Sequence, residues 1–390
     1  IPLRLVGSEM CIRDSPYIIL LFLLLFLSYQ EWKHPQYSNS LFRCACWIVF
    51  IFIAFRAPVV GADTWDYYRY ATGIRNFYNA DSRELEPLYQ LYNNLFRKYC
   101  PIGIVFMSVN TIIIFAPIRY ILKKYCKYKT CSVLTFFLIY NFSPFFVALR
   151  QILALSIILW GVIWIIEDRK YKWTVFVSLS VIAWFMHTTA AIVAALFLFA
   201  YFIPIRLRII SIAAISVSAI IGVILGKFNV LDTFGFIASY DLNVIERISL
   251  YLENQELKDS LSLNIVLRTS VIALLVFCFL DDKQINHWFS KIYLLGVILF
   301  NLFCSVPMVN RMIMANTLFV IFVFPWLLEN KYSPQRNRLL KILLLVVILY
   351  FTRSYILTNT YYDLKSEQRM NPYYFFFEDY HNHPSILYFK

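Results

Sequence analysis

One polar stretch, Arg56 to Arg97, holds the side chains best suited to chemistry. It carries Arg56, Asp63, Asp66, Arg69, Arg75, Asp81, Arg83, Glu84, Glu86 and Arg97, interleaved with Trp65, Tyr67, Tyr68, Tyr70, Phe77, Tyr78, Tyr89 and Tyr92. Aromatic faces stack on sugar rings, carboxylates accept hydrogen bonds from hydroxyls, and arginine forks grip phosphate oxygens through two nitrogens. A connector between apolar segments has no packing need for so many of these together. The stretch reads as part of a site for a phosphate-linked sugar. An amphipathic helix pair lying on a membrane surface is the alternative reading, and the two are compatible.

Local spacing refines this. Asp63 and Tyr67 are four apart, as are Asp66 and Tyr70, so each pair shares a face if the segment is helical. Gly61 permits a tight turn before it. Glu86 opens a second short helix, with Pro87 suited to its first turn.

Four further groups stand out. Asn141 to Gln151 forms a short turn through Ser143-Pro144, with Arg150 and Gln151 in the first turn of the next helix. A helix N-terminus already offers N–H groups and a positive dipole end, so Arg150 there makes an anion site easy to build; a simple interfacial arginine is the alternative. His187 lies between two apolar runs and suits proton transfer or a hydrogen bond to a substrate oxygen, although packed histidines in apolar surroundings are common. Tyr240, Asp241, Glu246, Arg247 and Tyr251 form a weaker group. Arg311 enters an apolar run, where a charge turns toward the protein interior or a wet cavity.

The elements that must position these residues are membrane helices. The chain has 390 residues, of which 60% are hydrophobic and 15% charged. Its mean hydropathy is +0.63, which marks an integral membrane protein. The net charge of +13 is spread over short connectors and reads as topology, with no nucleic-acid partner implied. The eight cysteines show no metal-ligand spacing, so no metal site is expected. Glycine, nine in all, is too scarce for a phosphate-cradling loop, and no cofactor is expected.

Residues 1–15, IPLRLVGSEMCIRDS, resemble translated adaptor sequence and are expected to be a non-native leader. Residues 16–390 then form one polytopic, all-α membrane domain. Helices are predicted over 16–29, 41–55, 101–122, 130–147, 150–167, 173–187, 188–204, 209–226, 263–280, 290–305, 311–328 and 339–357. That makes about 12 spans, with short amphipathic helices in a long outer loop. Basic connectors at 119–129, 167–172, 205–208 and 329–338 set the cytoplasmic side. The outer side then receives 56–100, 142–150, the turn at His187, 227–262 and 306–310. Cytoplasmic connectors are lysine-rich. Outer ones are arginine-rich: Arg56, Arg69, Arg75, Arg83, Arg97, Arg150, Arg247, Arg268 and Arg311. Lysine is enough to anchor topology, whereas the arginine fork suits phosphate; snorkelling arginines paired with acids are the alternative.

The order of these pieces resembles the EpsG family of bacterial exopolysaccharide proteins, related in kind to Wzy-type polymerases. Phe55-Arg56 precedes Gly61-Ala62-Asp63-Thr64-Trp65-Asp66-Tyr67, then Glu86-Pro87-Leu88-Tyr89, then Arg150-Gln151 opening a helix, then His187 before small polar residues. Asp66 is an extra acid beside Asp63. The resemblance spans about 41–330 and the aromatic tail, and implies a multi-pass protein of the bacterial cytoplasmic membrane, similar to C-superfamily glycosyltransferases. It implies that lipid-linked oligosaccharide repeat units on undecaprenyl pyrophosphate are polymerised at the outer face. Arg56, Arg69, Arg150, Gln151, Arg247 and Arg311 would bind pyrophosphate. Asp63, Asp66, Glu86 and His187 are the candidates for catalytic base, and Trp65, Tyr67 and Tyr89 would hold the sugar. Membrane lipid, and a flippase and a chain-length regulator of the same pathway, are the expected partners.

Other classes stay open. A flippase for lipid-linked saccharides would place polar groups near the bilayer midplane, whereas here they cluster at helix ends and loops. An O-acyltransferase would need a histidine for acyl transfer and a cytoplasmic acyl-donor route; only His187 could serve, and it is predicted outside. A membrane glycosyltransferase using a single lipid-phosphate sugar is the nearest enzymatic alternative.

Overall fold

In hydrocarbon a backbone must satisfy its own polar groups, and runs of Leu, Ile, Phe and Val do so as helices. The computed structural model follows this rule. It describes residues 15–61, 63–73, 85–140, 142–204, 207–227, 262–303, 307–360 and 373–378. Among these residues there is no strand, and one isolated antiparallel bridge joins Arg56 to Phe375.

The chain forms two compact units, one of residues up to Ala191 with Pro334 onward, the other Ile192–Ser333. In the first unit the helices are α1 (Ser15–Lys33), α2 (Ser38–Ala54), α3 (Thr64–Thr72), α4 (Pro87–Tyr99), α5 (Gly103–Tyr125), α6 (Lys129–Tyr140), α7 (Ser143–Val147), α8 (Leu149–Ile166) and α9 (Lys172–Met186). Helix α8 packs on α5 and α9, α2 on α5, and α1 on α6. Gly161 lets α8 and α9 close up, because a Cβ there would lie 3.0 Å from the Phe176 ring. The buried Glu31 carboxylate accepts the N–H groups of Thr130 (2.8 Å) and Cys131 (3.2 Å) and the Ser38 hydroxyl (2.6 Å). An acid on the orphan donors of α6 is a stabilising cap.

Helix α10 (Ala190–Phe202) starts where the first unit ends. The second unit continues with α11 (Arg208–Lys227), α12 (Ser262–Phe279), α13 (Asp282–Asn286), α14 (Trp288–Leu302), α15 (Pro307–Thr317) and α16 (Val320–Val323), while α17 (Pro334–Thr360) returns to the first unit. Helix α11 packs on α12 and α14. At that contact Asn301 donates to Ser218 Oγ (3.0 Å) and accepts from Ser270 Oγ (3.2 Å).

Four helices are long and apolar enough to cross a membrane among the described residues: Pro35–Ala54, Gly103–Tyr125, Leu149–Ile166 and Arg208–Leu225. Six shorter apolar helices of 10–17 residues accompany them. The 173–204 stretch divides as expected, with α9 and α10 meeting at the His187–Thr189 turn. Two expected helices are broken instead. The 130–147 run stops at Tyr140 and restarts as α7 after Phe142 takes a left-handed φ of 54°. Pro144 has no N–H to give to Tyr140, so the helix cannot run through. The 311–328 run starts earlier, at Pro307, and ends in a 3-10 turn, Phe324–Leu328, around Pro325.

Candidate active site

Three element ends meet in the first unit. Glu86 precedes α4 in an extended conformation, with Pro87 fixing the helix start. Arg150 sits in the first turn of α8. His187 closes α9, also extended. Helix α4 packs on α3 and α9, which brings the three together.

Glu86 is the hub. Its Oε2 accepts from Arg150 Nη1 at 2.8 Å, and its Oε1 lies 2.7 Å from His187 Nδ1. The Thr188 N–H points at the same Oε1 from 3.4 Å. Burial pushes the Glu86 carboxyl up, but the His187 hydrogen bond and the Arg150 charge outweigh it and hold the group down at about 2. Glu86 is therefore a carboxylate at any working pH. A carboxylate on Nδ1 places the ring proton there and leaves Nε2 as the acceptor. No described residue bonds that Nε2.

Two tyrosines fix the Arg150 fork. Its Cζ lies 5.8 Å from the ring centroids of both Tyr67 and Tyr89, and its Nε donates to the Tyr67 hydroxyl at 3.3 Å. Both rings are buried and meet edge to face at 5.9 Å. Burial pushes both phenols up, so both stay neutral. No described residue accepts from Arg150 Nη2, and the side chain is 27% exposed. Among the described residues, one guanidinium nitrogen and one imidazole nitrogen have no hydrogen-bond partner beside a fixed negative charge.

The other expected residues fall elsewhere. Arg56 is 2% exposed, and its two terminal nitrogens donate to Ile53 O (2.5 Å), Phe145 O (2.8 Å) and Thr64 Oγ1 (3.5 Å), while its buried Nε has no partner among the described residues. Its guanidinium also lies over the Phe146 ring at 4.6 Å. Burial pulls it down to about 10, so it keeps its charge at neutral pH. Asp66 and Arg69 pair with each other at 2.6 Å, as their i,i+3 spacing allows. Asp63 caps α3 with no side-chain cap bond, and its charge acts on the Tyr67 phenol. Trp65 stacks parallel to Tyr68 with centroids 6.0 Å apart, and Arg69 lies over its ring. Gln151 is buried in α8. Arg311 belongs to α15 in the second unit. Arg247 lies outside the described residues, as do Arg75, Asp81, Arg83 and Glu84.

Sequence reasoning did not single out Thr64, Phe145, Phe146 or Tyr373 as parts of the site. The Thr64 hydroxyl donates to Phe146 O at 2.9 Å and so ties α3 to α7. Gly61, at φ 104°, sits against the same carbonyl: a Cβ there would approach Phe146 O to 2.4 Å. The signal for Gly61 was its position between Arg56 and the acidic helix. Backbone carbonyls leave no such mark in a sequence. The tail segment is buried at Tyr373 and Tyr374. Among the described residues no three His, Cys, Asp or Glu gather as a metal site.

Comparison with curated proteins and with solved structures returned no match. A family model, described as the EpsG family, matches residues 39–375. That span takes in α2, the Glu86–Arg150–His187 cluster and the start of the buried tail segment, and with its long apolar helices this membrane protein belongs to the EpsG family.

Proposed function

We propose that this protein polymerises lipid-linked oligosaccharide repeat units at the outer face of the bacterial cytoplasmic membrane. The observation that supports it most is the Glu86–Arg150–His187 cluster at the ends of three helices. EpsG membership is consistent with a role in polysaccharide biosynthesis. The four helices long and apolar enough to cross a membrane support the multi-pass reading.

In this reading the acceptor hydroxyl of one saccharide lies at His187 Nε2, and the pyrophosphate of the other lies at Arg150 Nη2. The acceptor oxygen attacks the anomeric carbon and a new glycosidic bond forms. The bond from that carbon to the pyrophosphate oxygen breaks, and the lipid pyrophosphate leaves with the electron pair. The hydroxyl proton passes to His187 Nε2 and then to solvent. Glu86 keeps Nδ1 protonated and stabilises the imidazolium while it exists, as a carboxylate does for a general-base histidine. Arg150 meets charge as it develops on the leaving group, where a fixed donor is most effective. Tyr67 and Tyr89 hold the fork at one angle. The half-buried Trp65, stacked on Tyr68, is the candidate ring for a sugar in this reading.

Deletion of the gene, followed by analysis of lipid-linked saccharides, tests this. The expected result is loss of long polymer with single repeat units accumulating on the carrier at the outer face. Repeat units trapped at the inner face would mean a flippase. Full-length polymer lacking one substituent would mean a modifying transferase.

A further inference from the structure

The segment Tyr373–Glu378 and the Arg56 end of α2 fold as one piece. Phe375 bridges Arg56, the Ala57 N–H donates to Tyr374 O (2.8 Å), and the Phe376 N–H donates to Phe55 O (3.0 Å). The Tyr373 ring stacks on Phe52 with centroids 4.5 Å apart and meets Tyr17 edge-on at 5.2 Å. It is 1% exposed, and its hydroxyl donates to Phe52 O. The last carbonyls of a helix lack intrahelical partners. Here Tyr373 takes one and Arg56 takes the next, Ile53 O.

From Arg56 the contacts lead straight to the cluster. Its second nitrogen holds Phe145 O, and its plane lies over Phe146. Both phenylalanines are in α7, which is followed directly by α8 and its first-turn Arg150. Thr64 holds Phe146 O from the other side, and three residues on, Tyr67 touches Arg150. Arg56 thus grips both segments that determine where the Arg150 fork lies. Neither Tyr373 nor Arg56 hydrogen-bonds to Glu86, Arg150 or His187.

We propose that Tyr373–Glu378 is a clamp that sets the position of Arg150 through Arg56, making Tyr373 and Arg56 positioning residues of the transfer reaction. The proposal rests on the reading of Arg150 as the leaving-group contact. A misplacement of about 1 Å at a reacting contact lowers turnover about 100-fold, so the clamp acts on rate more than on binding.

The test uses the full chain, purified, with lipid-linked repeat units extracted from a deletion strain. The variants are Tyr373→Phe, Tyr373→Ala, Arg56→Lys, the Tyr373→Phe/Arg56→Lys double and Arg150→Ala. Tyr373→Phe keeps the stack on Phe52, so it reports on positioning even where Tyr373→Ala fails to accumulate. It is expected to lower turnover about 10-fold with KM held, and Tyr373→Ala about 100-fold. The double is expected to lose no more than the worse single, because both act through one route. Wild-type turnover in both Tyr373 variants while Arg150→Ala is inactive would overturn the clamp alone, as would losses that multiply in the double. Normal turnover by Arg150→Ala would instead overturn the reading of Arg150 beneath it.

Discussion

Glu86 and Arg150, 64 positions apart in the chain, meet at 2.8 Å where α4 and α8 begin. The pair is joined by His187 at 2.7 Å on the other carboxylate oxygen, so one acid orients both a cation and a base. Mutations at this junction separate the roles.

Glu86→Gln removes the charge that holds His187 in one tautomer and balances Arg150. Loss of a positioned acid–base pair lowers turnover about 10²–10⁴-fold. Polymer is expected to vanish while single lipid-linked units accumulate and the protein stays in the membrane. Polymer at wild-type length from Glu86→Gln would sink the assignment.

Arg150→Lys separates charge from geometry. Lysine keeps the positive charge but cannot bond Glu86, Tyr67 and a phosphate oxygen at once from fixed positions. Turnover is expected to fall at least about 10-fold, with Arg150→Ala lower still. A lysine variant that matches wild type in a polymer-length gel would show that the fork is not required.

Glu86 makes stability depend on pH with a defined sign. Its carboxyl is held down from 4.5 to about 2 in the fold, so its contribution is fully present above 4.5 and is lost as pH falls through about 2. In detergent melts, the margin of wild type over Glu86→Gln should shrink as pH falls from 4.5 through about 2. A margin undiminished below about pH 2 contradicts the assigned ionisation.

Arg56→Ala is expected to act on stability first. It leaves Ile53 O and Phe145 O without donors inside the protein. Stranded buried carbonyls cost on the order of 3 kcal/mol together. A drop in melting temperature and in membrane level is the expected result, and melting at the wild-type temperature would contradict it.

Gly61→Ala strains a left-handed residue and pushes a Cβ to 2.4 Å from Phe146 O, a backbone atom that cannot swing away. The penalty is about 1–3 kcal/mol in backbone strain alone. Loss of polymer is expected to accompany the lowered melting point, because Phe146 lies just before α8.

Much of this site was legible along the chain. Pro87 after an acid marked the start of α4, and Ser143-Pro144 before Arg150 marked a turn and a helix N-terminus. Those signals are local, because proline removes a donor wherever it stands. The partner of each side chain was not legible. Glu86 and His187 lie 101 positions apart, and no periodicity connects them. Arg56 and Arg150 look alike in sequence, both at the ends of apolar helices. One is sealed by carbonyls and the other keeps a nitrogen open.

The sequence by itself determined that this is a helical membrane protein and where most of its apolar runs become helix, since hydropathy and proline act within a few residues. It also placed the chemically able side chains at helix ends. Only the tertiary structure decided that Glu86 takes both Arg150 and His187, that Asp66 pairs with Arg69, and that Tyr373 returns to α2. Such contacts depend on which distant helices pack, and packing is settled by shape and by burial of every polar group at once.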